Sequence, residues 1–183
     1  MSQGTAQDVR TARRVLCYGT TGSGKSTLAA ALAERLDLPL TLVDELGWDP
    51  GWGQVAPEEL DRRIVPRLEA DRYVFDSVYG RQCALALERV DVVVALDYPR
   101  LVSLARLLRR TARRVRTGEL TCNGNRETLG RALSPRHSII RWHFRSWRRK
   151  RERMRAWHAA ADAPPVLLLR RPADAVGLLE ELA

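Results

Sequence analysis

RVLCYGTTGSGKSTLAAALAERL, running from Arg14 to Leu36, decides the fold. Its first six residues, Arg14–Gly19, form an apolar run closing on glycine and predict a buried strand. From Lys25 to Leu36 apolar residues recur at Leu28, Ala31, Leu32 and Leu36, the spacing of one helix face. Between them stands Gly19-Thr20-Thr21-Gly22-Ser23-Gly24-Lys25-Ser26, which matches G-x-x-x-x-G-K-[ST], the phosphate-binding loop pattern (P-loop). A chain wrapped around phosphate must turn its N–H groups inward, and glycine does this without a Cβ clash. The helix opening at Lys25 adds the positive end of its dipole. In such a loop Lys25 is placed for β- and γ-phosphates, Ser26 for Mg²⁺ and Thr27 for the α-phosphate.

Outward from this stretch, apolar runs alternate with helix-spaced segments. Leu40–Val43, ending on Asp44, Tyr73–Phe75 before Asp76, Asp91–Leu96 before Asp97, and Val166–Leu169 read as four further strands. Helices are expected from Pro57, with Pro66 kinking or ending it early, over Leu101–Val115, over Ser138–His158 and over Ala173–Leu182. Residues 116–135, with Gly118, Gly124, Gly130 and Pro135, read as a loop or short excursion. Strand–helix alternation implies an α/β fold, a parallel sheet with helices on both faces. The 183 residues fit one domain over 14–183, preceded by a flexible segment over 1–13.

Composition removes several classes. With 45% apolar and 29% charged residues the chain is not disordered. No apolar run approaches the roughly 18 residues of a membrane span, and Val15–Tyr18 is too short for a signal peptide, so a soluble cytoplasmic protein is expected. Cys17, Cys83 and Cys122 have neither disulfide nor zinc spacing, and His137, His143 and His158 form no metal-ligand pattern with them. Monomer and homodimer both remain open.

The net charge of +9 is local. Residues 100–158 carry eighteen basic residues against three acidic ones, and the rest of the chain is net acidic. Only Lys25 and Lys150 among the basic residues are lysine, which draws attention to Lys25 in its loop. GTPases are excluded because neither lysine sits in an Asn-Lys-x-Asp motif, and the chain is too short for an AAA-type ATPase with its helical lid domain. Small kinases using ATP remain.

On GTTGSGKST (Gly19–Thr27), LVDELGWDPGW (Leu42–Trp52), VFDSVYG (Val74–Gly80), LDYPR (Leu96–Arg100), RLLRRTARR (Arg106–Arg114) and WHFRSW (Trp142–Trp147), the chain resembles the P-loop nucleoside-monophosphate-kinase-like family. It looks closest to a branch of small adenylate kinase-like, or DNA topology-modulation, proteins. The resemblance implies a five-stranded parallel sheet in order 2-3-1-4-5, an acceptor-side insertion over about 44–70 and an arginine-rich lid over about 106–135. It further implies phosphoryl transfer from ATP, with Mg²⁺, to a small hydroxyl- or phosphate-bearing acceptor such as a nucleoside monophosphate. Arginines of the lid, Arg106, Arg110 and Arg114, would cover the adenine and clamp the transferring phosphoryl group.

Asp44 falls at the carboxyl end of the second strand, where open α/β sheets place ligand contacts. By the resemblance it would accept the acceptor's proton or hold a metal-bound water; its other reading is a turn cap. Asp76, ending the strand beside the P-loop strand, resembles a Walker-B acid and is the other metal candidate. Asp97 reads as a cap for the next helix. Trp48 and Trp52 either stack on a base or ring of the acceptor or staple their loop to the core, and Tyr79 is placed to line the same pocket.

Arg106, Arg109, Arg110, Arg113 and Arg114 share one helix at spacings of three and four, unpaired by acids on that helix. Trp142, Phe144, Trp147 and Trp157 interleave with arginines in Ser138–His158; a core face with a basic solvent side is the favoured reading there. Aromatics among bases also keep a nucleic-acid-binding regulator with weak or no kinase activity as the second reading. On the lid reading, neutralising Arg149 or Arg151 is expected to matter little for phosphoryl transfer.

Overall fold

Five short strands pair in parallel around the Arg14–Gly19 run. The computed structural model describes residues 3–134 and 138–183; Pro135 and His137, considered above, lie outside the described residues. The strands are β1 (Arg14–Gly19), β2 (Leu40–Thr41), β3 (Tyr73–Phe75), β4 (Val92–Leu96) and β5 (Val166–Leu169). Counted this way the sheet order is 2-3-1-4-5, as expected. Central β1 is flanked on both sides, with Leu16 opposite Phe75 in β3 and opposite Val93 in β4. Buried on both faces, β1, β3 and β4 read as continuous apolar runs rather than alternating ones.

Successive side chains still part to opposite faces. Val15 and Cys17 join Val92, Val94, Leu28, Leu32 and Leu178 on one side. Leu16 and Tyr18 join Val93, Ala95, Ile64, Leu68 and Met154 on the other. The first layer holds helices α1 (Ala6–Thr11), α2 (Lys25–Leu36) and α9 (Pro172–Glu181). The second holds α4 (Pro57–Leu68), α5 (Cys83–Arg89) and α8 (Ile139–Ala159). The remaining helices are α3 (Val43–Gly47), α6 (Arg100–Thr117) and α7 (Leu129–Leu133).

Several expectations are corrected. Within the segment expected to be a flexible lead, residues 6–11 form α1, capped by Thr5, whose hydroxyl accepts from Asp8 N–H at 3.2 Å while Asp8 accepts from Thr5 N–H at 2.7 Å. Val9 of that helix is fully buried in the first core layer, worth about 2 kcal/mol of apolar burial. The second strand stops at Thr41 because Val43 N–H donates to Asp76 Oδ1 at 2.9 Å and turns the chain into α3. Asp44 therefore sits in the first turn of α3, not at the strand end. Helix α4 runs through Pro66 to Leu68, since a proline one turn from the end removes one terminal hydrogen bond only.

Asp97 does not cap α6, whose N-cap is Pro99. Its side chain, 1% exposed, accepts from Arg151 Nε at 2.7 Å and Arg155 Nε at 2.8 Å, anchoring α8 to the end of β4. Arg151 thus serves the packing of α8, a role distinct from the phosphoryl transfer in which its neutralisation is expected to matter little. Nor do the aromatics of α8 make its core face. Trp142 and Phe144 are 43% and 49% exposed, whereas His143, Ser146 and Met154 are buried. Trp157 takes the expected role, packed on Tyr18 at 4.6 Å between ring centroids, and Trp147 is half-buried, with the Arg151 guanidinium 4.9 Å from its ring centre.

Candidate active site

The P-loop pattern runs from Gly19, the last residue of β1, through a turn over 20–24 into Lys25 and Ser26, the first residues of α2. Gly22 has φ 81° and lies so close to α6 that a Cβ would fall 2.5 Å from the Ser103 carbonyl oxygen. Gly24, φ 98°, is the N-cap of α2 and offers no side-chain cap, so the first N–H groups of the helix are left for an anion. Gly19 closes β1; Thr20 and Ser23 are buried beneath the turn, with Ser23 Oγ donating to Thr20 O at 2.9 Å. Lys25 Nζ donates to the same carbonyl at 3.0 Å, across the mouth of the loop. Burial pushes the Lys25 ammonium down, while the Asp44 and Asp76 carboxylates pull it back up. Ser26 and Thr27 occupy the exposed first turn of α2.

Asp76 is brought directly to this loop. Ser26 Oγ donates to its Oδ2 at 2.6 Å, and its Oδ1 accepts from Val43 N–H and, at 3.4 Å, from Ser77 Oγ. A hydroxyl and a carboxylate oxygen this close are hard donors that suit Mg²⁺, which typically takes one or two protein oxygens and completes its shell with phosphates and water. The described residues contain no group of three or more His, Cys, Asp or Glu able to hold a metal alone.

Asp44 is exposed and held by one oxygen only. Tyr79 Oη donates to its Oδ1 at 2.7 Å. Burial and the facing carboxylate push the Tyr79 phenol well above its ordinary range, so it stays a donor. The close fit of Tyr79 on Gly47, 3.0 Å from a would-be Cβ, fixes the end of α3.

The α6 arginines divide. Arg106 Nη1 donates to Ser23 O at 3.2 Å and its guanidinium lies 5.8 Å from the Tyr98 ring centre. Arg106, Arg109, Arg110 and Arg113 line an open pocket of ≈ 330 Å³. Arg110 has no carboxylate partner among the described residues, and its Nε is buried without a hydrogen bond. Burial, with Arg114 alongside, pushes its pKa down. Arg114 and Arg113, expected to be free of acids, are paired instead: Arg114 with Glu127 at 3.3 Å and Glu119 at 3.5 Å, Arg113 with Glu119 at 3.1 Å. Both acids follow α6 in the next turn of chain, beyond the helix on which the spacing was read.

Trp48 and Trp52 meet edge to face at 5.7 Å. Trp52 Nε1 donates to Arg126 O at 2.9 Å, and the Arg131 guanidinium lies 4.2 Å over its ring. The indole is thus turned to the residues after α6. Stapling is observed, to that segment rather than to the core.

Two residues of α8 were missed. His143, fully buried, has Nδ1 3.0 Å from Thr21 O, so the proton sits on Nδ1 and is donated to the P-loop backbone. Burial lowers its pKa, and its Nε2 is buried without a partner. No spacing rule could have found it, because the contact spans 122 residues.

Lys150 was findable, since it shares with Lys25 the rarity of lysine in this chain. It is half-buried, 5.9 Å from the Tyr18 ring centre, and within electrostatic reach of Lys25 and Asp44. Burial first, then the Lys25 charge, pushes its ammonium down to about 7.

The unfolded chain, with Lys150 near its ordinary value of about 10.4, binds more protons above pH 7 than the folded one. This residue's contribution to stability therefore rises with pH from about 7 to roughly 10. Denaturant unfolding at pH 6 to 9 should show that slope flattened in Lys150→Met. Parallel profiles for the two proteins would mean Lys150 stays charged throughout.

No family model matches the sequence. No curated protein matches it either. Solved structures do match in fold. Shikimate kinase from Bacteroides thetaiotaomicron aligns with TM-score 0.53 over 94% of this chain and 97% of that one, at 15% identity. A gluconokinase from Sinorhizobium meliloti 1021 gives 0.51 over 93% of each chain at 17%. Deoxyadenosine kinase from M. mycoides gives 0.51 over 92% of this chain and 95% of that chain at 13%. The chain has the α/β fold of these P-loop kinases, a five-stranded parallel sheet with helices around it. Among the described residues no helix is long and apolar enough to cross a membrane.

Proposed function

We propose that the protein is an ATP-dependent kinase of a small hydroxyl- or phosphate-bearing acceptor. The observation that carries this is the convergence of Lys25, the Ser26–Asp76 contact and the half-free Asp44 carboxylate at one end of the sheet. The P-loop backbone and the open N-terminus of α2 hold the phosphates. Lys25, swung from the Thr20 carbonyl, neutralises charge on the transferring group. Arg110, a half-buried cation with no carboxylate partner among the described residues, approaches the same charge from α6. Ser26 and Asp76 would hold Mg²⁺, which supplies charge neutralisation at the phosphates.

Asp76 has both oxygens engaged, whereas Asp44 presents an oxygen that Tyr79 does not take. Asp44 is therefore the group that accepts the acceptor's proton, with Tyr79 fixing its orientation. Residues 106–135 act as the lid and 44–70 as the acceptor side, with Trp48 against the acceptor. Arg114, tied to Glu127, shapes the lid and lends its charge from there. The bond of Arg106 to the Ser23 carbonyl of the P-loop, with Arg110 within electrostatic reach of Lys25 and Asp44, supports this lid over a nucleic-acid surface. The WDPGW and LDYPR segments support the adenylate kinase-like branch.

ADP release, measured with Mg²⁺-ATP across nucleoside monophosphates, nucleosides, sugar acids and polyols, tests the reading. Turnover with one class supports it, and no acceptor-stimulated ADP release from any would overturn it. With the acceptor found, Asp44→Asn should lower kcat by about 10²-fold or more while ATP affinity by calorimetry changes little. Asp76→Asn should instead raise the Mg²⁺ concentration needed for half-maximal rate. Equal loss of rate and ATP affinity in Asp44→Asn would move that residue to the nucleotide site.

A further inference from the structure

The Trp48–Gln54 loop and the hairpin after α6, in which Leu120–Thr121 pairs antiparallel with Asn125–Arg126, are sewn together by two asparagines. Asn125 is 3% exposed and its amide is fully used. Nδ2 donates to Asp49 O at 2.9 Å and Cys122 O at 2.5 Å, and Oδ1 accepts from Trp52 N–H at 2.6 Å. Asn123 Nδ2 donates to Glu45 O at 2.6 Å and Trp48 O at 2.8 Å. With Trp52 Nε1 on Arg126 O, five hydrogen bonds cross between segments some seventy residues apart in sequence.

The backbone on both sides is bent to make them. Cys122, Asn123 and Gly124 have φ of 41°, 61° and 80°, a run of left-handed residues that points both amides at the loop. Trp52 itself has φ 61°, a conformation disfavoured for a bulky side chain that persists only where its surroundings fix it. Here the hairpin fixes it, through the Trp52 N–H, its indole N–H and the Arg131 guanidinium.

We propose that Asn123 and Asn125 are positioning residues that make the acceptor-side loop and the nucleotide lid one moving body, so that gripping the nucleotide also sets the acceptor loop. The catalytic meaning of this coupling rests on the kinase reading above; the coupling itself does not. The hairpin continues directly from α6, which carries Arg106 and Arg110, and the loop continues directly from α3, which carries Asp44. A lid and an acceptor loop free to move separately would assemble the two substrates independently. Joined, each substrate lowers the cost of ordering the site for the other.

Hydrogen–deuterium exchange on the full chain tests this, first without ligand and then with Mg²⁺ and the β,γ-imido analogue of ATP. The wild type is compared with the double variant Asn123→Ala/Asn125→Asp, which keeps an acceptor for Trp52 N–H and removes the donors. Without ligand, residues 48–56 and 119–127 should show one common protection in the wild type. In the double variant the loop should lose about tenfold, as expected for two or so net hydrogen bonds, while the hairpin keeps most of its own.

With the analogue, both segments should slow in the wild type and only the hairpin in the double variant. A loop that still slows in the double variant, or a wild-type hairpin that slows without the loop, overturns the proposal. Should calorimetry show that the analogue does not bind the wild type, the kinase reading falls, and the ligand-free arm still decides the coupling. Thermal melting checks folding, and Asn123→Ala alone, at an exposed position, gives the same comparison if the double variant unfolds.

Discussion

Lys25→Ala is expected to lose phosphoryl transfer by at least about 10³-fold, the scale of removing a preorganised charge from the transition state. Lys25 is the ammonium nearest the P-loop carbonyls, reaching Thr20 O at 3.0 Å, and its own charge is sustained by Asp44 and Asp76. Without it those carboxylates face the incoming phosphates uncompensated, so ATP binding should weaken as well. The melting temperature should barely fall, because the lysine's hydrogen bond is made to one loop carbonyl. Lys25→Arg should fail to rescue, since the planar guanidinium is larger than the space a compact ammonium fills. Purified Lys25→Ala turning over at the wild-type rate would sink the kinase assignment altogether.

The second large effect concerns stability, and its asymmetry is the informative part. Removing both Arg151 and Arg155 as alanines leaves the Asp97 carboxylate, 1% exposed, charged and without its partners, a situation that costs about 3 kcal/mol or more. Asp97→Asn leaves instead two guanidiniums that are 31% and 51% exposed and can take up water, so about 1–2 kcal/mol is expected. Urea unfolding of the three proteins measures both. Equal losses would mean that the arginines, not the buried carboxylate, set the cost.

What could be read in the sequence was what local pattern controls. Arg14–Gly19 and Lys25–Leu36 form the strand and helix expected, residue for residue, because a buried strand and an amphipathic helix each carry their signal within one window. The same holds for Tyr73–Phe75 and Val166–Leu169. Helix α3 escaped because the cause of its turn, Asp76 bonding Val43 N–H, lies 33 residues away. Helices α5 and α7 escaped because seven and five residues are too few to show a period, and so did the two-residue strands that pair within 48–54 and 120–126.

In the site, the P-loop residues and Asp76 were legible from motif and strand position. Pairing of Arg114 was not, since Glu127 lies beyond its helix in a segment without periodicity. The interleaved aromatics of α8 misled for a physical reason: guanidiniums and aromatic rings cover one another at the surface, as Arg149 does 5.9 Å from the Trp142 ring centre and Arg100 4.3 Å from that of Phe144.

Helix α8 meets three separate parts of the molecule along its length: the P-loop backbone through His143, the neighbourhood of Lys25 through Lys150, and the end of β4 through Arg151 and Arg155. Each residue of a helix turns the next by about 100° and advances it about 1.5 Å. These attachments are thus teeth cut at a fixed pitch, and they mesh with the sheet only in one phase. The outward positions, among them Arg141, Arg145 and Arg148, are free to change in kind. The count of residues between His143 and Arg155 is not: one residue more or less would swing every tooth beyond it away from its slot. The chain can therefore drift in composition along this helix while remaining locked in length.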